Sequence, residues 1–281
     1  MEYVTLNNGV KMPILGYGVF QITNLDECER CVQDALEVGY RLIDTAQAYG
    51  NEEAVGKAIK KSSLPREELF ITTKVWISNA GYERAKKSIE ESFRRLQLDY
   101  FDLLLIHQPF NDYYGTYRAM EELYQAGKIK AIGVSNFYPD RLIDLITFNE
   151  IVPAVNQVEV HVFNQQVKAR EVMKKYGVQI QAWAPFAEGR NDFFSDATLN
   201  TVGVKHNKTT AQVALRYLIQ KDIAVIPKTV RKERMIENFD VFDFALTEED
   251  MNLIAALDQG ESLFFSHYDP KTVENLTSIK I

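Results

Sequence analysis

The sequence predicts an α/β fold: a (β/α)8 barrel of the TIM type, entered through an N-terminal β-hairpin. Three observations predict it. Short apolar runs alternate with amphipathic stretches along all 281 residues, the pattern of a parallel sheet with helical crossovers. That alternation suits an open doubly wound sheet as well as a closed barrel, but the open dinucleotide-binding form requires G-x-G-x-x-G after its first strand. Here Gly16 and Gly18 occur while position 21 is Gln, so the fingerprint fails and the barrel gains. Third, reactive side chains recur at the ends of successive strands. The length suits one barrel domain of about 250 residues, taken as 1–281.

The elements follow in order. Asn7-Asn8-Gly9 reads as a hairpin turn with Val4–Leu6 and Val10–Met12 as its arms. Strand-like runs then occur at Ile14–Val19, Arg41–Asp44, Leu69–Thr73, Phe101–Ile106, Ile129–Val134, Val155–Val158, Val178–Trp183 and Ile223–Ile226. Several are apolar throughout, as expected of parallel strands buried on both faces. Between them Leu25–Val38 is helical, and Tyr82–Leu96 puts Ala85, Ile89, Phe93 and Leu96 on one face. Tyr117–Ala126 groups Tyr117, Met120 and Tyr124 and stops before Gly127, a good residue to end a helix. Thr209 and Gln212 form a capping box for a helix running to Gln220. Thr247 caps another, with Asp250 at its third position and Leu246 stapled to Met251. Cys28 and Cys31 fall inside Leu25–Val38, in reach of Val32 and Ala35. Without a thioredoxin-like context they read as core residues rather than a redox pair.

Composition removes several function classes. With 46% hydrophobic and 25% charged residues the chain is globular rather than disordered. Its 39 acidic against 32 basic residues give a net charge of −7, which demotes a general nucleic-acid binder. No run approaches the roughly 18 apolar residues of a transmembrane helix. The N-terminus lacks the basic and apolar regions of a secretory signal. Two cysteines make no disulfide framework, so a reducing cytoplasm is the expected location. Only four histidines occur, in neither H-x-H nor H-E-x-x-H, so no metal is expected. No G-x-S-x-G elbow or phosphate-binding P-loop is present. No heptad or long apolar patch suggests self-association, and a monomer is expected.

Asp44 ends the second strand, Lys74 follows the third and His107 follows the fourth, at spacings of 30 and 33 residues. Each spacing is about one strand-plus-helix unit, so the three share one register, the C-terminal strand ends where barrels carry their active sites. Ser135, Asn136, Gln157, Trp183 and Lys228 repeat that register on later strands, and Tyr49 lies on a loop at the same face. A Tyr phenol, with a pKa near 10, is a poor acid at neutral pH. A nearby ammonium lowers that pKa, and a carboxylate keeps the ammonium charged and fixed. A His beside the Tyr can donate a hydrogen bond to a substrate oxygen. The set suits protonation of an oxygen gaining negative charge, as in carbonyl reduction by hydride.

With those residues in place, the sequence resembles the aldo-keto reductase family over nearly its whole length. The resemblance is carried by Leu6-Asn-Asn-Gly9, Leu15-Gly-Tyr-Gly18, Gly39-Tyr-Arg-Leu-Ile-Asp44-Thr-Ala, Tyr49-Gly-Asn-Glu52 and Leu98-Asp-Tyr-Phe-Asp-Leu-Leu-Leu-Ile-His107. Further along it is carried by Gly133-Val-Ser-Asn-Phe137, Asn156-Gln-Val-Glu159, Ala211-Gln-Val-Ala-Leu-Arg216 and Ile226-Pro-Lys-Thr229. It is closest in character to the short-loop prokaryotic and protist members, which include diketogluconate and methylglyoxal reductases.

The resemblance implies a nicotinamide-dependent reductase of aldehydes and some ketones, acting on small carbonyl substrates. Tyr49 would be the general acid, Lys74 would lower its pKa, Asp44 would pair with Lys74 and His107 would orient the carbonyl. Ser135, Asn136 and Gln157 match residues that hold the nicotinamide carboxamide, and Trp183 matches the aromatic stacked on the ring. Lys228, Thr229 and Arg234 match the site for the adenosine 2′-phosphate, and Glu237 and Asn238 the contacts to adenine. Lys228, Arg231, Lys232 and Arg234 are four cations within seven residues at a helix start. Cations and free helix N–H groups both suit a phosphate, so NADPH is expected over NADH.

Some positions depart from the family pattern. Ala184 replaces a common Ser, Phe186 a common Leu, Phe20 a common Trp, and Gln108 the Trp that usually follows the catalytic His. The substrate pocket is expected from Phe20, Trp76, Gln108 and Phe110, aromatic on two sides and more polar on a third. The segment Leu263–Pro270 is expected as a compact loop that encloses little of the substrate. A cofactor-binding regulatory barrel with little turnover is the alternative, and the intact Asp44, Tyr49, Lys74 and His107 set disfavours it.

Overall fold

The computed structural model describes residues 2–281. Strands β1 (Tyr3–Thr5) and β2 (Lys11–Pro13) form an antiparallel hairpin around Asn7-Asn8-Gly9. Gly9 takes the left-handed conformation the turn needs (φ 86°). The hairpin covers the N-terminal mouth of the barrel. Asn7 donates to Pro153 O at 3.1 Å and Asn8 to Lys130 O at 2.9 Å, at the approaches to two barrel strands.

The chain then alternates through β3 (Tyr17–Gly18), α1 (Leu25–Val38), β4 (Leu42–Asp44), α2 (Glu52–Lys61), β5 (Phe70–Val75), α3 (Tyr82–Leu96), β6 (Leu103–Ile106) and α4 (Tyr113–Gln125). It continues with β7 (Ile132–Ser135), α5 (Pro139–Phe148), β8 (Val155–Glu159), α6 (Val167–Lys175) and β9 (Gln179–Trp183). Then come α7 (Ala197–His206), α8 (Thr210–Gln220), β10 (Ala224–Val225), α9 (Lys232–Phe239), α10 (Glu248–Ala255) and α11 (Pro270–Ser278).

Strands β3 to β10 pair in chain order, all parallel. The circle closes where Leu15 bridges Val225: Gly16 N–H donates to Val225 O and Val225 N–H to Ile14 O, both at 2.8 Å. β4 through β8 are buried at every position, which accounts for the unbroken apolar run of β6, while the buried polar residues of the others gather towards their C-terminal ends. Gly133 in β7 is required by this closeness, since a Cβ there would lie 2.5 Å from Val155 O and 2.8 Å from the Leu105 side chain.

The predicted α1 and α3 match in their bounds. α4 starts four residues before the predicted Tyr117, because the Asp112 carboxylate accepts from Gly115 N–H and caps the helix there. The predicted capping box of Thr209 with Gln212 is formed, and the predicted Thr247 cap is formed as well, closed into a box by the Asp250 side chain. β5 runs on to Val75, so Lys74 is a residue of the strand rather than one after it. Cys28 and Cys31 are free, buried thiols on the inner face of α1, and burial pushes Cys28 up to about 12. An unionised thiol of that kind is inert packing.

Candidate active site

A cavity of about 590 Å³ opens at the C-terminal end of the barrel strands. Asp44 closes β4 at its floor, and Lys74 reaches it from β5 next door. Lys74 is wholly buried. Its ammonium donates to Asp44 Oδ1 at 2.5 Å, to Thr45 O at 3.0 Å and to Tyr49 Oη at 3.2 Å. All three ammonium hydrogens are thus used, as a buried charge requires. Asp44 Oδ2 accepts from Gln157 Nε2 at 2.8 Å, so both carboxylate oxygens are also partnered.

Tyr49 ends a one-turn helix, Gln47–Tyr49, which Gly50 leaves in the left-handed conformation (φ 67°). The loop is fastened on both sides. Asn51 donates to Val19 O and Ile22 O while accepting from Thr45 Oγ1. The buried Glu52 accepts from Thr73 Oγ1 at 2.6 Å, and Gln47 bonds Ser92 Oγ, Trp76 N–H and Asn79. The run Tyr49-Gly-Asn-Glu52 therefore holds one hydroxyl and three devices that keep it in place.

The His107 ring meets Tyr49 edge-on at 5.5 Å and Trp76 at 4.9 Å. Burial, and secondarily the Lys74 charge, drives His107 well below the ordinary imidazole range, so the ring is neutral at pH 7. Its Nδ1 is buried without a hydrogen-bond partner among the described residues. On Lys74, burial acts downward, but Asp44 and Tyr49 together more than offset it and the ammonium stands above its ordinary value. Tyr49 departs from expectation. Lys74 does draw its pKa down, but burial is the larger influence and holds the hydroxyl above the ordinary phenol value. Desolvation, with the nearby Asp44 charge, outweighs what the ammonium does to loosen the phenol's proton.

The later strand ends supply amides. Ser135 Oγ donates to Gln157 O at 2.8 Å, and Asn136, in the left-handed region (φ 63°), donates to His107 O and Ser135 Oγ. Asn136 Oδ1 accepts from the Trp183 indole at 2.9 Å. Gln157 donates through Nε2 to Asp44 and to Gln181 Oε1, which leaves its own Oε1 as a free acceptor among the described residues. Ser135, Asn136, Gln157, Trp183 and Lys228 all line the cavity.

Thr229, Arg234, Glu237 and Asn238 lie outside that lining. Tyr17 Oη donates to Thr229 O, Glu237 accepts from Thr209 Oγ1, and Asn238 is buried in α9. Of the four cations before and in α9, Lys232 is paired with Asp34 and Glu37. Lys228, Arg231 and Arg234 are exposed and have no ion pair among the described residues. Arg231 starts α9 without a side-chain cap.

Phe20, Trp76 and Gln108 line the pocket as expected. Phe110 does not. It packs behind the wall with Trp76 and Ile77 and lies 5.7 Å from the His267 ring, because an apolar ring there has a small buried cluster to fill. The missing wall comes from the C-terminal segment. Phe264, Phe265, Leu276 and Ile279 face the cavity, and Trp76 Nε1 donates to Ile279 O at 2.8 Å. Phe264 and Phe265 lie 5.1 and 6.2 Å from the Trp183 ring. The chain after Leu263 is therefore a loop followed by α11, closed over the pocket, rather than a loop that leaves it open. Glu159 at the end of β8 pins this loop by accepting from Ser262 Oγ and Leu263 N–H. Periodicity gave no sign of these residues, since they reach the site from the far end of the chain.

A closed eight-stranded barrel thus brings an Asp–Lys–Tyr line and a neutral His together at its strand ends, an arrangement that can protonate an oxygen gaining negative charge. The profile of the aldo/keto reductase family matches residues 14–259. The chain is 49% identical over 261 residues to glyoxal reductase of Bacillus subtilis, covering 92% of this chain and 94% of that one. The structure superposes with a TM-score of 0.92 on an aldo-keto reductase from a deep-sea metagenome, at 46% identity, covering 95% and 98% of the two chains. It superposes with a TM-score of 0.90 on a Bombyx mori aldo-keto reductase in complex with NADP, at 32% identity, covering 98% and 97%. The chain belongs to the aldo/keto reductase family.

Proposed function

We propose that this protein reduces aldehydes and some ketones to alcohols with NADPH, with Tyr49 giving the proton. The observation that carries this reading is the buried line from Asp44 through Lys74 to the Tyr49 hydroxyl at the floor of the cavity. The bound cofactor supplies the hydride. Tyr49 supplies the proton to the oxygen that becomes negative as the carbonyl carbon is reduced. The ammonium of Lys74, held by Asp44, then stabilises the phenolate left behind. An N–H at the buried, unpartnered Nδ1 of His107 would go unsatisfied, so the ring proton belongs on Nε2, where it donates to the carbonyl oxygen.

The residues suit the cofactor on two structural grounds. Gln157 Oε1 is left free to accept from a carboxamide, beside Ser135 and Asn136. Lys228, Arg231 and Arg234 make no ion pair among the described residues and stand at an uncapped helix start, where a phosphate ester fits and NADH would leave the cations unused. The bound NADP of the Bombyx mori relative and the named activity of the Bacillus relative support the same assignment. The enzyme acts as a monomer on small molecules. The free cysteines suit a reducing cytoplasm, and no helix among the described residues is long and apolar enough to cross a membrane.

A panel of carbonyl compounds assayed with NADPH and with NADH tests the proposal. NADPH oxidation with small aldehydes, including 2-oxoaldehydes, is expected. Preference for NADH would remove the role given to Lys228 and Arg234, and oxidation of neither cofactor would remove the reductase reading.

A further inference from the structure

Gln108 takes the place next to His107 and lines the cavity, yet only 6% of it is exposed. A primary amide so deeply buried needs a reason to face one way. His267, from the C-terminal loop, supplies it: His267 Nε2 lies 2.7 Å from Gln108 Oε1. The ring itself is clamped. It lies 5.7 Å from Phe110, 5.3 Å from Tyr138 and 5.2 Å from Phe265, and its Nδ1 faces the Tyr138 hydroxyl at 3.4 Å. Burial pulls His267 down to about 4, so at neutral pH it carries one ring proton. With Nδ1 taking the Tyr138 hydroxyl, that proton is on Nε2 and donates to Gln108 Oε1. The amide orientation follows. Gln108 Nε2 has no protein partner among the described residues and is not sealed from solvent, so its two N–H groups are offered to the cavity.

The neighbouring polar groups are already committed. The Trp76 indole N–H is spent on Ile279 O, and the Asn136 amide on His107, Ser135 and Trp183. That leaves Gln108 as the donor beside Tyr49 and His107 on a wall otherwise made of Phe20, Trp76, Leu276 and Ile279. Consecutive residues at one strand end stand about 3.8 Å apart at Cα. Both His107 and Gln108 line the same cavity, so a group on the carbon next to the one whose oxygen His107 holds can meet the amide.

We propose that Gln108 is a specificity-determining donor, with His267 as its positioning residue, and that the pair recognises an oxygen on the carbon next to the reacting carbonyl. The enzyme would then select 2-oxoaldehydes and other α-oxygenated aldehydes over alkyl aldehydes of the same shape. The proposal rests on the reductase reading and adds to it a substrate class and two residues. No bond-making step changes, since the Gln108 contact acts on an atom that does not react.

The test compares kcat/KM for methylglyoxal with that for 2-methylpropanal, which matches its shape without the second oxygen. Gln108→Met keeps the side-chain length and removes the donor. The ratio of kcat/KM for methylglyoxal to that for 2-methylpropanal, measured within the same variant, is expected to fall about tenfold, the worth of one neutral hydrogen bond. His267→Phe keeps the ring among Phe110, Tyr138 and Phe265. It is expected to lower the preference about threefold alone and not at all in the Gln108→Met background, as coupled residues do. A structural defect would instead lower both substrates together. An unchanged preference in Gln108→Met, or additive losses in the double variant, would overturn the proposal while leaving the reductase reading intact. A wild-type enzyme that oxidises NADPH with neither aldehyde would overturn both.

Discussion

At one end of the cavity Asp44, Lys74 and Tyr49 form a buried line in which every charged atom has a partner. Away from that line, Lys228 on the cavity lining and Arg231 and Arg234 outside it stand exposed with no ion pair among the described residues. The difference follows from solvation. A charge out of water must be paired within the protein before any ligand arrives, or the fold pays several kcal/mol for it. A surface cation is kept by water until a phosphate replaces that water. The proposed reaction end is therefore rigid and bound up with stability, and the proposed phosphate end would be separable and salt-sensitive.

The largest expected effect breaks the reaction end alone. Tyr49→Phe removes the proton donor without removing a charge. Turnover should fall about a thousandfold, within the range general acids contribute, while NADPH affinity, read by quenching of tryptophan fluorescence, stays within about threefold. Full activity would mean that another group gives the proton. Lys74→Met asks the same end a different question. It leaves the Asp44 carboxylate buried with only Gln157 beside it, and such half-pairs cost about 3–5 kcal/mol. Urea unfolding should register that loss. If stability stayed within about 1 kcal/mol of wild type, on the order of ordinary surface changes, the site would not be the pre-paired structure described above.

The phosphate end should answer differently. Arg234→Ala and Lys228→Ala should each weaken NADPH binding about tenfold, on the scale of one charge-assisted contact, and leave NADH binding and folding stability unchanged. Binding measured across a salt series should show a shallower dependence in each variant. Equal losses for both cofactors would place the phosphate elsewhere.

The same contrast explains what the sequence revealed. The barrel was legible because buried parallel strands must be apolar and helices must be capped. That left marks at Phe101–Ile106, at Thr209 with Gln212 and in the Gly16 to Gln21 stretch that fails as a dinucleotide loop. Asp44, Lys74 and His107 were legible because strand ends share a register. Three things were not. The pKa of Tyr49 depends on burial against charge, which spacing does not measure. The Lys232 ion pairs with Asp34 and Glu37 join residues nearly two hundred positions apart. The C-terminal wall depends on Glu159 catching Ser262 and Leu263, and on Trp76 catching Ile279 O, contacts without a local pattern. Phe110 was assigned to the pocket by its position after His107, yet its ring turned into the cluster behind.

The smallest expected effect lies between the two ends, in the C-terminal loop. His267 titrates at about 4 when folded, with burial as the main cause, and near 6.5 when unfolded. Between those values the unfolded chain binds a proton that the folded chain refuses. Stability is therefore fully present above about pH 6.5 and is lost as pH falls towards 4. His267→Phe should flatten the stability–pH curve in that window, measured by urea unfolding at steps of half a pH unit. Glu159 works at lower pH. Burial alone would raise its pKa, but the bonds from His161, Ser262 and Leu263 outweigh that and hold it below its ordinary value. Its contribution is present above the unfolded carboxylate range and fades as pH falls through the folded value. Glu159→Gln should therefore blunt the loss below the His267 window and, because the Glu159 charge raises the His267 pKa, extend that window to lower pH. If His267→Phe left the curve unchanged between pH 6.5 and 4, the ring would be titrating freely in the folded state. The Gln108 amide would then be without its fixed neighbour.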